Sequence, residues 1–516
     1  MRSRTSSSLN GIDWRPCTTS DAEKSEPGTI NVENTWSTTI ASSQQFLKRI
    51  IRPSHYFRFS SSSQSTDTIT PARPISRTAS YDGLRGIACL IVFNFHFLYP
   101  YTDTSKHGWG ADRWNIYIHQ WPFICLLVRG RAMVTLFFAV SGYVLSYGFL
   151  KAMRDRQADK SFSRMASLAV RRWIRLYLPA TITTSMVCVA TYWGAFDAGR
   201  KFQKTPLLTG TPEEHPPRKM NWDAQWADYC VMWWRWSNPF DWNFHWENYD
   251  PHTWTIPAEF RCSMVLFILL LAGAGLKQRW RLGMTFLVTA AALRYARWDV
   301  ATFTGGALVA DIHQAVSHRK EEETPELPTT ESDPEDESPC CESTTGLKWL
   351  IFIIALYVLS FPDNKARKTP GFKTMAYYVP TNYWDKQFFW HAMASSVILW
   401  SVEQLPIIQN ILSSTIPQYL GKVSFAFYLC HGPLLHSIGF AMQPKIWKFF
   451  GHETLPMWCF GLAVGWTIML ALSLGTAHLF YRFVDMPLVR ATRWLEDCAR
   501  DKMAFKPLKE EEKHTR

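Results

Sequence analysis

An arginine and a histidine stand eleven residues apart in an otherwise apolar run, DGLRGIACLIVFNFHF, from Asp82 to Phe97. At roughly 100° per residue that spacing is about 1,100°, or three turns plus about 20°, so a helix brings Arg85 and His96 to one face, about 16 Å apart along its axis. Ionisable side chains are costly at membrane depth, and where they occur they usually line polar cavities that serve function. His96 can act as a general base that takes a proton from a hydroxyl nucleophile. Its competing role is that of a buried histidine bonded to a backbone carbonyl or to Asn94. Arg85 is a fixed cation suited to phosphates or to charge developing on a carbonyl oxygen; the alternative is snorkelling to lipid phosphate.

The elements that must position these two groups are membrane helices. Apolar runs place about ten spans, near 82–97, 132–150, 176–195, 260–276, 282–296, 299–313, 347–361, 387–404, 418–441 and 457–483. The fold class that follows is all-α, a polytopic helix bundle. Residues 1–78 are rich in Ser, Thr and Arg and too poor in aliphatic clusters to fold alone, so they read as a disordered cytosolic tail. The charged insert at 314–346 reads the same way, and 491–516 as a basic cytosolic tail. Residues 151–175 hold eight Lys or Arg against two Asp, the clearest positive-inside signal, and Lys277, Arg279 and Arg281 mark a second cytosolic turn. Ten spans put both termini in the cytosol. The absence of an n-region and h-region at the N-terminus excludes a secretory signal peptide.

The formal charge of +12 raises nucleic acid as a partner, but the cations cluster at the ends of apolar runs, where they set topology. The stretch WWRWSNPFDWNFHWENYDPH interleaves its aromatics with Asp241, Glu247 and Asp250, where a base-stacking surface needs cations. It reads as an ordered loop at the membrane interface. Eleven cysteines lack paired CxxC spacing, and Cys89, Cys188, Cys262 and Cys430 read as small buried hydrophobes. Neither a dinucleotide fingerprint, a P-loop nor HExxH occurs, so no bound cofactor and no metal is expected.

Six stretches in order carry a family resemblance: Arg85 to His96, LFFAVSGYVLS (136–146), RRWIRLYLP (171–179), HTWTIPAEF (252–260), LGKVSFAFYLCHGPLL (420–435) and FYRFVDMP (480–487). Together they resemble the acyltransferase-three family of polytopic membrane O-acyltransferases, in its fungal form, over about residues 80–490. Asp485 stands where many relatives carry Glu, and the insert at 314–346 is longer than usual.

The resemblance implies an acyltransferase that moves an acyl group, often acetyl, from acyl-CoA to a hydroxyl, with His96 as base. The acceptor expected is a lipophilic small molecule such as a secondary metabolite; the alternatives are a cell-surface glycan or lipid, or a non-enzymatic membrane transporter. The location expected is the endoplasmic reticulum or plasma membrane. Glu259, at the start of a span, suits orienting His96 or binding acceptor hydroxyls, or capping its helix. Ser141 beside Gly142 suits close helix packing, with substrate contact or an acyl-serine intermediate as the functional role. Arg172 and Arg175 read as topology anchors that could also hold CoA phosphates. His431, followed by Gly432 and Pro433, sits where a helix should kink and expose backbone carbonyls; it suits a structural hydrogen bond first, with a contribution to the pocket as the functional role.

Overall fold

The computed structural model describes residues 78–211, 216–323 and 340–499. The described residues are helical, with no β-strand among them and a single isolated bridge between His107 and Asn364. Helices of ten or more residues run in order: α1 Ala79–Leu98, α2 Gly130–Arg154, α3 Ala158–Tyr192, α4 Trp222–Trp236, α5 Thr255–Gly273, α6 Gln278–Arg294 and α7 Trp298–Glu323. They continue with α8 Cys340–Leu359, α9 Gln387–Gln404, α10 Thr415–Leu434, α11 Phe440–Phe450, α12 Leu455–Phe480 and α13 Met486–Ala499.

Among the described residues, four segments are long and apolar enough to cross a membrane: Gly130–Arg154, Ala158–Tyr192, Pro251–Gly273 and Leu455–Cys498. Helix α1 has a spanning length, but Asp82, Arg85, Asn94 and His96 dilute its hydropathy. The other expected spans also coincide with helices, of which Thr345–Leu359 is apolar but shorter than a span. Several boundaries differ, and α3 begins at Ala158 where a span was expected from near 176. Helix α7 continues past 313 to Glu323 and α8 begins at Cys340, so both ends of the expected insert are helical. Helix α13 carries the chain to Ala499, past the expected start of the C-terminal tail. The interfacial loop contains helix α4, capped by the Asn221 side chain on the Ala224 N–H. The N-terminal tail lies outside the described residues.

Small residues set the closest approaches. A Cβ on Gly142 would overlap the Phe303 carbonyl and one on Gly306 the Ala139 carbonyl, so α2 and α7 touch backbone to backbone. Gly86 and Gly421 do the same for α1 and α10, whose chains run parallel from Asp82 beside Gly421 to Phe93 stacked on Phe427. Several polar groups inside the bundle pair across helices, as a lipid surround favours. Thr135 Oγ1 and Ser395 Oγ lie 2.7 Å apart. The Arg281 guanidinium forks onto both Asp311 oxygens at 2.7 Å, and Tyr143 donates to Glu403. Beyond Pro433 the chain takes a π turn, Leu435–Gly439, instead of breaking.

Candidate active site

His96 lies in the last turn of α1, on the face of Arg85 as the spacing predicts. Its ring centroid is 3.9 Å from that of His252, at 82°, and 5.4 Å from that of His431. The ligand-type atoms of His96, His252 and His431 all lie within 4.8 Å of one another. His436 is a fourth neighbour, 5.3 Å from His252 ring to ring. Three separate chain segments thus converge: the end of α1, the turn Pro251–Trp254 before α5, and the end of α10.

That turn is built by its own sequence. Asp250 caps it, accepting from the His252 N–H at 3.3 Å, and Pro251 occupies the first position, where a missing N–H costs nothing. The same Asp250 oxygen accepts from His252 Nδ1 at 3.0 Å, with both side chains almost fully buried. Tyr428 of α10 donates to the His252 carbonyl and Trp236 of α4 to the Thr253 carbonyl, at 3.2 Å in the latter case. His431 Nδ1 donates to the Phe427 carbonyl at 3.1 Å, and the ring is buried.

A cavity of about 470 Å³ opens beside the histidines and is lined by both His96 and His252. Its walls are mostly apolar and aromatic, with Phe95, Phe244, Trp246, Trp254, Trp298 and Phe388 among them. Trp298 and Phe388 stack at 4.1 Å, which fixes one wall. Arg131 and Asp385, paired at 3.1 Å, supply charge at the lining. His431 belongs to the histidine cluster but does not line this cavity.

The remaining predicted residues gather deeper toward the basic end of the bundle. Arg85 donates to Asp82 Oδ1 and to Ser424 Oγ, each at 3.1 Å. Arg172 reaches Glu259 Oε1 at 2.6 Å and Ser263 Oγ at 3.0 Å, and Ser141 Oγ donates to the same Glu259 oxygen at 2.8 Å. Arg175 feels the charges of Arg172, Asp485, Arg171 and Arg85, so four arginines surround this region. Glu259 therefore holds Arg172 and Ser141, a different task from orienting His96. It lies seven residues beyond His252, about 10 Å further along the helix at 1.5 Å per residue. The acid at the histidine cluster is Asp250, which is bonded to His252.

The sequence reading missed Asp250, His252 and His436. His252 was visible as the first residue of HTWTIPAEF, two positions before Trp254, with an acid two residues upstream. The signal was there in the Asp-Pro-His spacing, which places both side chains on one side of a tight turn.

Glu247, in the loop between the cavity residues Trp246 and Asn248, is buried, and burial pushes its carboxyl from an ordinary value of 4.5 up to about 7. The folded form then binds more protons than the unfolded chain between those values, so stability should fall as pH rises from about 4.5 to about 7. Glu247→Gln should flatten that slope in melting temperatures recorded across the window in detergent; an unchanged slope would assign it elsewhere.

Comparison with known proteins places this arrangement. The chain is 27% identical over 451 residues to the acyltransferase clz18 of Cochliobolus lunatus, covering 80% of this chain and 94% of that protein. It is 27% identical to the acyltransferase R4 of a Phoma species, covering 80% and 95%. It is 26% identical to the O-acetyltransferase PaAT-1 of Phomopsis amygdali, covering 81% and 84%. No solved structure matches. Residues 78–481 match the family described as Acyltransferase domain, a span that contains the histidine cluster, its cavity and the arginines below them, and the protein is thus a membrane acyltransferase of the acyltransferase-three family.

Proposed function

We propose that the protein transfers an acyl group, acetyl in the simplest case, from acyl-CoA to the hydroxyl of a lipophilic small molecule such as a secondary metabolite. The observation that carries this reading is the placement of His96 on the wall of an aromatic cavity while Arg85, on the same helix face, joins Arg172 and Arg175 at the basic end. The cavity volume of about 470 Å³ falls within the roughly 300–1,000 Å³ of small-molecule sites, and its ring-rich lining favours a hydrocarbon body over a polar one.

In this reaction His96 takes the hydroxyl proton as the acceptor oxygen forms its bond to the acyl carbon. The carbon–sulfur bond then breaks and CoA leaves as its thiol. The arginines hold the donor's phosphates from the cytosol, the side to which the basic segment 151–175 assigns them. The separation of about 16 Å between Arg85 and His96 along α1 is of the order of an extended pantetheine arm. Support for acetyl comes from the similarity to an O-acetyltransferase, and support for a small lipophilic acceptor from the cavity lining.

Arg85→Ala and Arg175→Ala test the donor site. Each removes a charge-assisted contact of about 1.5–3 kcal/mol, so the KM for acetyl-CoA should rise roughly 10- to 150-fold, with a smaller change in kcat. An unchanged KM in both variants would remove the arginines from the donor site.

A further inference from the structure

We propose that His252, held by Asp250, is a second catalytic histidine that acts as the acid partner of His96, protonating the departing thiolate; the proposal rests on the acyl-transfer reading above. Both rings line the cavity, and their centroids are 3.9 Å apart. Two cations at that separation repel strongly where His252 is buried, so the pair favours one shared proton over two. Asp250 decides where that proton sits. Its carboxylate accepts from His252 Nδ1 at 3.0 Å, and with both groups almost fully buried, an imidazolium on His252 balances a charge that is otherwise expensive to keep in the bundle. His96 is then left neutral, as a base must be. Two like groups whose surroundings separate their proton affinities form an acid–base pair.

The dyad is not needed merely to hold the chain in place. The His252 carbonyl is bound independently by Tyr428, and the neighbouring Thr253 carbonyl by Trp236. Room for the ring is made at Gly432, where a Cβ would overlap His252 Nδ1. A side chain there for packing alone could be apolar and would leave no buried carboxylate to satisfy.

The proton balance closes within the site. His96 takes the proton of the acceptor hydroxyl while the oxygen–acyl bond forms. His252 gives its Nε2 proton to the sulfur as the carbon–sulfur bond breaks, leaving His252 neutral with Nδ1–H still on Asp250. The proton on His96 then returns to His252. Their nitrogens lie within 4.8 Å, a gap that one hydrogen-bonded oxygen bridges, since two bonds of about 2.8 Å at a tetrahedral angle span roughly 4.6 Å. No other reactant is required.

The test compares two acyl donors on the full-length protein purified in detergent. Acetyl-CoA has a leaving group that benefits from protonation, and 4-nitrothiophenyl acetate has one that leaves as a stable thiolate. A panel of lipophilic alcohols serves as acceptor. His252→Gln and Asp250→Asn should each lower kcat with acetyl-CoA roughly 10²- to 10⁴-fold with little change in its KM, and the double variant should be no worse than His252→Gln. With the activated thioester the defect in both should shrink to within about tenfold, since the acid step is no longer limiting. His96→Gln should stay impaired with both donors. Equal loss with the two donors would make the dyad structural, wild-type rates in both variants would remove it from the reaction, and stoichiometric zinc that is lost in His252→Gln would make the cluster a metal site; each overturns the proposal. A wild-type protein that acylates none of the alcohols would count against the acyl-transfer reading itself, independently of the dyad.

Discussion

His96→Gln is expected to lower acyl transfer roughly 10²- to 10⁴-fold, the usual contribution of a positioned general base, while the protein still inserts and purifies as a monodisperse species. Glutamine fills a similar volume and keeps a polar tip toward the cavity, so packing against Phe95, at 5.0 Å ring to ring, is disturbed little. What it lacks is a nitrogen that can take a proton near neutral pH. The loss should fall on kcat, because the residues proposed to hold the donor lie a helix-face length away around Arg85. A rate within a few-fold of wild type would leave His96 as a structural histidine and move the base to another member of the cluster.

Gly306→Leu should have the largest effect on folding. Gly306 lies on α7 against the Ala139 carbonyl of α2, and Gly142 returns the contact from α2 to the Phe303 carbonyl. Helices that pack this closely do so through small residues, which here bring the backbones themselves together. A leucine cannot escape by rotating, because its Cβ already overlaps a carbonyl, so α2 and α7 must separate. Overpacking of this kind costs about 1–3 kcal/mol and sometimes more, and the interface also positions Ser141 and the α2 residues that line the cavity. The variant should be recovered largely as aggregate on size-exclusion chromatography. Gly148→Leu on α2, where a Cβ meets nothing within 4 Å, should behave as wild type. Equal yields and melting temperatures for the two variants would contradict the packing described.

The helical class, the shared face of Arg85 and His96, and the buried cysteines 89, 188, 262 and 430 were legible because each depends on local spacing or on apolar content. The partner of His96 was not. Its distance in sequence is 156 residues, and no periodicity within one helix points across the bundle to a turn before another. Glu259 drew attention because it is an acid beside a span, yet the pitch of α5 carries it down to Arg172 and Ser141. His431 was placed near a kink, and the kink takes the form of a π turn that keeps the chain helical into α11. The ends of the 314–346 insert read as disordered from its charge and its Pro and Ser content, whereas the helices on either side continue into it.

The central claim is that this protein moves an acyl group from CoA to a hydroxyl by way of His96, and one measurement addresses it directly. Purified wild-type protein in lipid nanodiscs is given acetyl-CoA labelled in the acetyl group together with the panel of lipophilic alcohols, and the organic phase is counted before and after mild alkaline hydrolysis. The account predicts alkali-labile label in the organic phase and one free CoA thiol per labelled ester. It predicts neither above background with His96→Gln. Label transfer by that variant at the wild-type rate, or none by the wild type with any alcohol offered, would contradict it.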